Sequence, residues 1–430
     1  MSIGGIYASL MSTWIYGLQA GGAAAIMWSW IIGGAGAWAL ALSLAELSSA
    51  YPSAGAMYTV LRYLAPEEQV PLLAWMSGHV VAVMALLVVV HASINSLPTR
   101  WLTRLTSGYV VFHMSVLLGA CVCLLVQTKE KHSLAYAFTN FQPSSGWSPS
   151  GFAFLFGCLT PAWIMTNADS TARIAEEAKD PARVVPRAIA SATTFTYLIG
   201  FAFNLVLVLC MGDPLELARS RSGQPVAQLF FDTMGRAPAI FFTLSGFAVM
   251  NLVAIPGLQS GSRTIFAFAR DDLVPLSHIW RRISPRSHTP VAAVWLYGAL
   301  EITVNLLGLA SDTAISAVFN VCTVALNVSY LLPIVCKLAY GRFERGPWHL
   351  GRWSFAANVL AVVWNVFVSV IFFFPTRLPV TRENMNYAVV VFVFVVLFSS
   401  GFWYTHGRHY YLGPGTQSRK IVPVTGLRVM

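Results

Sequence analysis

Apolar residues in this chain run in long continuous blocks rather than alternating, and short polar stretches separate the blocks. A bilayer core of about 30 Å takes roughly 17–25 apolar residues in helical form. Blocks near that length fall at 3–18 (short), 24–50, 72–97, 107–126, 151–168, 187–211, 238–261, 290–309, 313–336, 354–374 and 386–404. Lipid leaves no water to satisfy backbone groups, so each crossing closes its own hydrogen bonds as a helix. A β-barrel would need shorter segments of alternating polarity. The pattern therefore predicts an all-α, polytopic membrane protein with about eleven spans, one membrane domain over 1–404 and a basic tail over 405–430.

Composition agrees. Hydrophobic residues make up 56% of the 430 positions and charged residues 10%, where a soluble domain carries about a quarter charged. The net charge of +10 could point to nucleic acid, but its placement points to orientation. With the C-terminus cytoplasmic, nineteen Lys and Arg residues collect on that side against seven on the other, the asymmetry that sets topology in a membrane. No nucleic-acid surface is expected. Residues 1–61 hold no Lys or Arg, so no charged leader precedes the first block. All six cysteines fall inside predicted spans, which leaves no aqueous pair for a disulfide.

Polar residues within apolar blocks carry more information than the blocks, because each costs free energy unless it is paired or functional. The block 151–168 ends in Thr160-Pro161-Ala162-Trp163 and then Thr166-Asn167-Ala168-Asp169. Pro161 removes a donor and disfavours helix at Thr160, and Asn167 tolerates left-handed backbone. A helix broken at membrane depth exposes amides and carbonyls to a solute, as in transporters. The competing reading is a helix that ends at the interface with Asp169 in water. Ser2, Ile3, Gly4 and Gly5 open the first block and fit either an unwound loop or close helix packing.

Glu301 lies mid-span, where an unpaired carboxylate would cost roughly 2.5 kcal/mol or more; it is a proton-coupling candidate. His79, His91 and His113 have no metal-site spacing and read as packing histidines. Glu46 reads as a membrane-exit marker. Trp14, Trp28, Trp30, Trp163 and Tyr16 could form an aromatic cage for a quaternary ammonium or act as interface anchors. Pro225 to Met234 is an amphipathic piece expected outside, as a lid or a surface helix. No zinc-protease or nucleophile-elbow motif is present, so an enzyme is not expected and no cofactor is implied.

Four stretches together resemble one known family: AELSSAYPSAGAMY, DSTARIAEEAKDPARVVPRAI, SGSRTIFAFARDDLVPLS followed by HTPVAA, and LPVTRENMNYAVVV. They are similar, in order, to the amino acid/choline (GABA) permease group of fungi, within the amino acid–polyamine–organocation superfamily. The resemblance implies the leucine-transporter-like fold of twelve helices with inverted repeats. It also implies proton-coupled uptake of amino acids, γ-aminobutyrate, choline or polyamines across a plasma membrane. Ser2, Ile3, Gly4, Gly5, Ala162, Trp163, Thr166 and Asn167 then match the substrate-binding breaks of the first and sixth helices. Asp169 joins Glu301 as a proton-coupling candidate, and Glu176, Glu177, Arg263, Arg270 and Asp271 match cytoplasmic gating elements. The family places Gly where this chain has Asn167. Against the family pattern, an inner half-helix before residue 1 and several tens of residues around 79–85 are expected to be missing. That leaves a truncated, non-transporting relative as the alternative reading, with the topology of 1–97 and the oligomeric state open.

Overall fold

The computed structural model describes residues 5–51, 89–97, 99–166, 168–219, 224–310, 312–381, 385–408 and 411. Its first helix, α1 (Ile6–Ala50), has 45 residues, about 67 Å if straight and more than twice a bilayer core. Gly21 (φ 164°, ψ 22°) and Gly22 (φ 65°, ψ −141°) break it. A Cβ on Gly17 would lie 2.7 Å from the Ile26 side chain, so the two arms fold back as a hairpin. The turn needs glycine twice over: Gly22 is left-handed, and a Cβ on Gly21 would lie 2.1 Å from the Phe141 ring. The outer segment 140–144 threads the turn. There Ala24 N–H donates to the Asn140 carbonyl (2.9 Å), and the N–H groups of Gln142 and Ser144 donate to the carbonyls of Gly21 and Gln19 (2.9 Å each). The two blocks expected at 3–18 and 24–50 are the two arms.

After the short α2 (Val89–Asn95) come α3 (Thr99–Gln127), the outer helix α4 (Leu134–Thr139), and the pair α5 (Ser150–Gly157) and α6 (Leu159–Ile164). A 3₁₀ helix, Ala168–Glu177, leads into α7 (Pro181–Cys210). Asp180, left-handed at φ 49°, turns the chain before Pro181, which suits a first helical position. Next come α8 (Pro214–Ala218), α9 (Pro225–Met234) and α10 (Arg236–Arg270). The short α11 (Ser277–Trp280) precedes α12 (Val291–Ala310) and α13 (Asp312–Tyr340), and α14 (Ser354–Ile371) and α15 (Ala388–Phe402) close the bundle.

Among the described residues, eight helices are long and apolar enough to cross a membrane, and Val291–Thr303 is a shorter apolar one. The difference from eleven has three sources. The first two blocks are the two arms of the α1 hairpin and count as a single run, most of 72–97 lies outside the described residues, and the apolar part of α12 is short. Packing concentrates on α1, whose arms run against α5, α6, α7 and α14. Large side chains such as Trp14, Trp30, Tyr7 and Phe203 are fully buried around it. The face of α15 is largely open, with Phe394, Leu397 and Phe398 exposed, as a helix facing lipid tails should be. Helix α9 lies with Val226, Leu229 and Phe230 buried against the bundle, so its apolar face is docked.

Candidate functional site

The break after Pro161 is present. Helix α6 ends at Ile164, Met165 leaves helical geometry at φ −95°, ψ 3°, and a 3₁₀ helix resumes at Ala168. Met165 N–H reaches the Pro161 carbonyl at 3.0 Å and Thr166 N–H the Trp163 carbonyl at 3.3 Å, so the chain tightens as it stops. The Thr166 hydroxyl donates to the Ala162 carbonyl. That bond employs a side chain expected to face a solute. Ala162 is buried and Trp163 half-buried beside the break. Asn167 lies outside the described residues, as do Ser2, Ile3 and Gly4.

This break sits beside the start of α1. The Thr160 hydroxyl donates to the Thr13 carbonyl at 2.9 Å, while Gly157 approaches Ala20, so α1's first arm runs antiparallel to α5 and α6. From Thr13 back to Ile6 is about 10 Å of helix, and from Thr160 on to Ile164 about 6 Å. The two interruptions therefore lie at nearly one depth. Gly5 opens α1 in left-handed geometry (φ 34°, ψ 37°) with no side-chain cap from its own segment. Its N–H donates to the Tyr109 hydroxyl at 3.1 Å, and the Tyr7 N–H donates to His113 Nε2 at 3.3 Å. Both partners come from α3. His113 is thus more than the packing histidine expected.

Asp169 is not in water. It is 1% exposed, and its Oδ2 accepts from Arg173 Nε (3.1 Å) and Nη2 (3.0 Å). Oδ1 accepts from the Tyr330 hydroxyl of α13 at 2.5 Å. Arg173 Nη1 donates onward to Thr264 of α10 at 3.0 Å. The 3₁₀ segment is therefore tied by one buried pair to two neighbouring helices. Glu301, also buried, lies one turn of α12 beyond Tyr297, and Tyr297 packs closely on α10. Close helix packing allows this, since a Cβ on Gly261 of α10 would lie 2.0 Å from the Tyr297 ring. The two proton-coupling candidates, far apart in sequence, are both buried.

The gating candidates spread out. Arg263 and Asp271 are buried at the inner end of α10, and Arg270 lies over the Phe266 ring at 5.9 Å. Glu176 and Glu177 fall in the 3₁₀ helix, and their side chains lie outside the described residues. The aromatic cage does not assemble as one group. Trp28 is 45% exposed with its indole N–H on the Phe138 carbonyl, while Trp14 and Trp30 are fixed in the core by Asn204 and the Tyr197 carbonyl.

A second buried ion pair corrects the reading of Glu46 as a membrane-exit marker. Glu46 Oε2 meets Lys337 Nζ of α13 at 2.5 Å and accepts from Ser354 of α14 at 2.8 Å. Lys337 also lies over the Phe343 ring at 4.1 Å. Trp348 N–H donates to the Ser49 hydroxyl at 2.9 Å. The connection between α13 and α14 is thereby clasped to the inner end of α1. Signals were present in the sequence, an acid inside an apolar run and a lone base ending α13, but not their pairing.

Comparison with known proteins gives concordant matches. A family model described as amino acid permease covers residues 73–396. Amino-acid permease 2 of Neurospora crassa is 68% identical over 465 aligned residues, which take in 99% of this chain and 86% of that protein. The stretch at 79–85 lies outside the described residues. The choline transporter of Saccharomyces cerevisiae is 28% identical, with 95% of this chain and 81% of that protein covered. Among solved structures, a mutant manganese transporter of Eremococcus coleocola has a TM-score of 0.51 at 12% identity, covering 95% of this chain and 94% of that one. This last likeness shows the shared leucine-transporter-like fold.

Proposed function

Because this chain belongs to the amino acid permease family, and is an integral, multi-pass transporter of amino acids rather than an enzyme, we propose that it drives their uptake with protons. The solute sits between the start of α1 at Gly5 and the interruption that follows Ile164, with Ala162, Trp163, Thr166 and Asn167 as its candidate contacts. The observation that carries this reading is the pair of helix interruptions at nearly equal depth, tied by the Thr160–Thr13 bond. Backbone N–H groups at a helix start favour an anion, and carbonyls at a helix end favour a cation. An amino acid brings both charges. The amide-bearing start of α1 favours solutes with a carboxylate, amino acids and γ-aminobutyrate, ahead of choline and polyamines, which bring none. Ser2, Ile3 and Gly4 would extend that start.

In this reading Asp169 is the tie that the broken segment releases as the carrier changes state, and Glu301 is a buried carboxyl able to follow the proton. Glu176, Glu177, Arg263, Arg270 and Asp271 act at the cytoplasmic mouth. A plasma membrane location fits the fungal relatives. The test is uptake by the purified chain in liposomes with acid outside, scanned over the common L-amino acids, γ-aminobutyrate and choline. Accumulation of at least one amino acid that collapses with a protonophore is expected. Uptake indifferent to the proton gradient would overturn the coupling, and no uptake of any solute would overturn the whole reading.

A further inference from the structure

Two side chains of α3 do at the start of α1 what a capping residue does elsewhere. Gly5 supplies no side chain, so the first amides of α1 would be left open. Tyr109 and His113 close two of them, accepting from Gly5 N–H at 3.1 Å and Tyr7 N–H at 3.3 Å. They are four residues apart and so share one face of α3, with rings stacked at 5.7 Å and 12°. A neutral imidazole that accepts at Nε2 carries its proton on Nδ1. That Nδ1 is buried with no hydrogen-bond partner among the described residues, although His113 is 0% exposed. A buried polar atom left unsatisfied asks for an explanation beyond packing.

Among the described residues, no charged group is recorded acting on His113. The titratable groups facing His113 are Tyr109 on its own helix and Tyr7 on α1, with the Cys121 thiol acting on Tyr7 from further along α3. Helix α10 meets Gly5 through Val253 and Met250, neither of which titrates.

The geometry points to a proton-operated cap: neutral His113 occupies the Tyr7 amide in the empty carrier, and protonated His113 surrenders that amide to the carboxylate of the solute. The inference rests on the carboxylate site proposed above and names the group that links it to protons. When Nε2 gains a proton from the aqueous side, its lone pair is used and it becomes a donor. Two donors, Nε2–H and Tyr7 N–H, then converge where one bond had been. A carboxylate oxygen accepts from both and neutralises the buried imidazolium. Proton and carboxylate thus each favour the other, and linkage makes the effect reciprocal. Tyr109, a neutral hydroxyl, holds Gly5 in either state and positions the loop.

The experiment uses the full chain. Binding of each common L-amino acid and γ-aminobutyrate is measured from acid to alkaline pH, over a range that extends well below that of a free imidazole, with choline as the carboxylate-free control. For the wild type, amino-acid affinity falls about tenfold or more towards alkaline pH, while any choline binding stays level. His113→Gln, whose amide oxygen still accepts from Tyr7 but cannot be protonated, gives a flat profile. With the cap held on at every pH, it binds amino acid only as weakly as the wild type does at alkaline pH and loses proton-driven accumulation. A His113→Gln protein that keeps the pH slope and the accumulation overturns the inference and leaves the transporter reading intact. A second readout needs no variant. In weak buffer the wild type should take up about one proton per amino acid bound near the middle of that range, and uptake of none overturns it. A wild type that neither binds nor exchanges any of these solutes sinks both readings together.

Discussion

Replacing Asp169 with asparagine removes one charge and almost no volume, which isolates the electrostatic part of the tie. In the parent, Arg173 has 7% and Asp169 2% of its side chain accessible. One carboxylate oxygen holds two guanidinium nitrogens, and the other takes the Tyr330 hydroxyl. Arginine cannot shed its proton in a protein. Asp169→Asn therefore strands a buried cation whose remaining charge-neutral bond is to Thr264. A pair at about 4 Å in an effective dielectric near 20 is worth about 4 kcal/mol. Breaking one side of a buried pair costs about 3–5 kcal/mol. Both routes give the same expectation, a loss of about 3–5 kcal/mol, which reversible denaturant unfolding in micelles would report. The double variant Asp169→Asn/Arg173→Gln should be more stable than Asp169→Asn alone, because the stranded cation is gone. Uptake should fall in the single variant, since the tie to α10 and α13 is lost. A single variant within about 1 kcal/mol of the parent, or a double variant weaker than the single, would refute the reasoning. Unchanged uptake would remove Asp169 from the mechanism.

Three further outcomes are expected. Glu46→Gln should destabilise by a similar ~3–5 kcal/mol by stranding Lys337, and Glu46→Gln/Lys337→Met should regain part of it in the same unfolding assay. Gly261→Ala should lower stability and uptake together, because its Cβ would meet the Tyr297 ring at 2.0 Å; a neutral result would mean that α10 and α12 can part at no cost. Thr160→Val keeps the shape but loses the donor to Thr13. It should cost about 1 kcal/mol and weaken amino-acid affinity more than it slows turnover at saturation, which concentration-dependent uptake separates.

The architecture was legible where composition is enough. Apolar blocks mark helices because lipid permits little else, and Pro161 marks the sixth-segment break because its missing donor is a local fact. Gly21 and Gly22 likewise fall in the gap between the first two blocks. Pairings over long sequence distance were not legible. Glu46 finds Lys337 291 residues away, and His113 finds Tyr7 106 residues away. Nothing within either segment encodes which partner the fold supplies. Asp169 read as poised between solvent and site because the sequence shows Arg173 one turn on but not Tyr330 and Thr264, which close the pocket around the pair. The aromatic cage failed for the opposite reason. All its members but Trp163 are near in sequence, but the helical hairpin leaves Trp28 exposed and Trp14 buried.

Hydrogen exchange at individual backbone amides of the reconstituted chain tests the central claim most directly. On saturation with a transported amino acid, the account predicts slowed exchange at Gly5 to Ala8 and at Ile164 to Asp169, with the rest of the spanning helices nearly unchanged. Tight binding that leaves both stretches exchanging as before would contradict it.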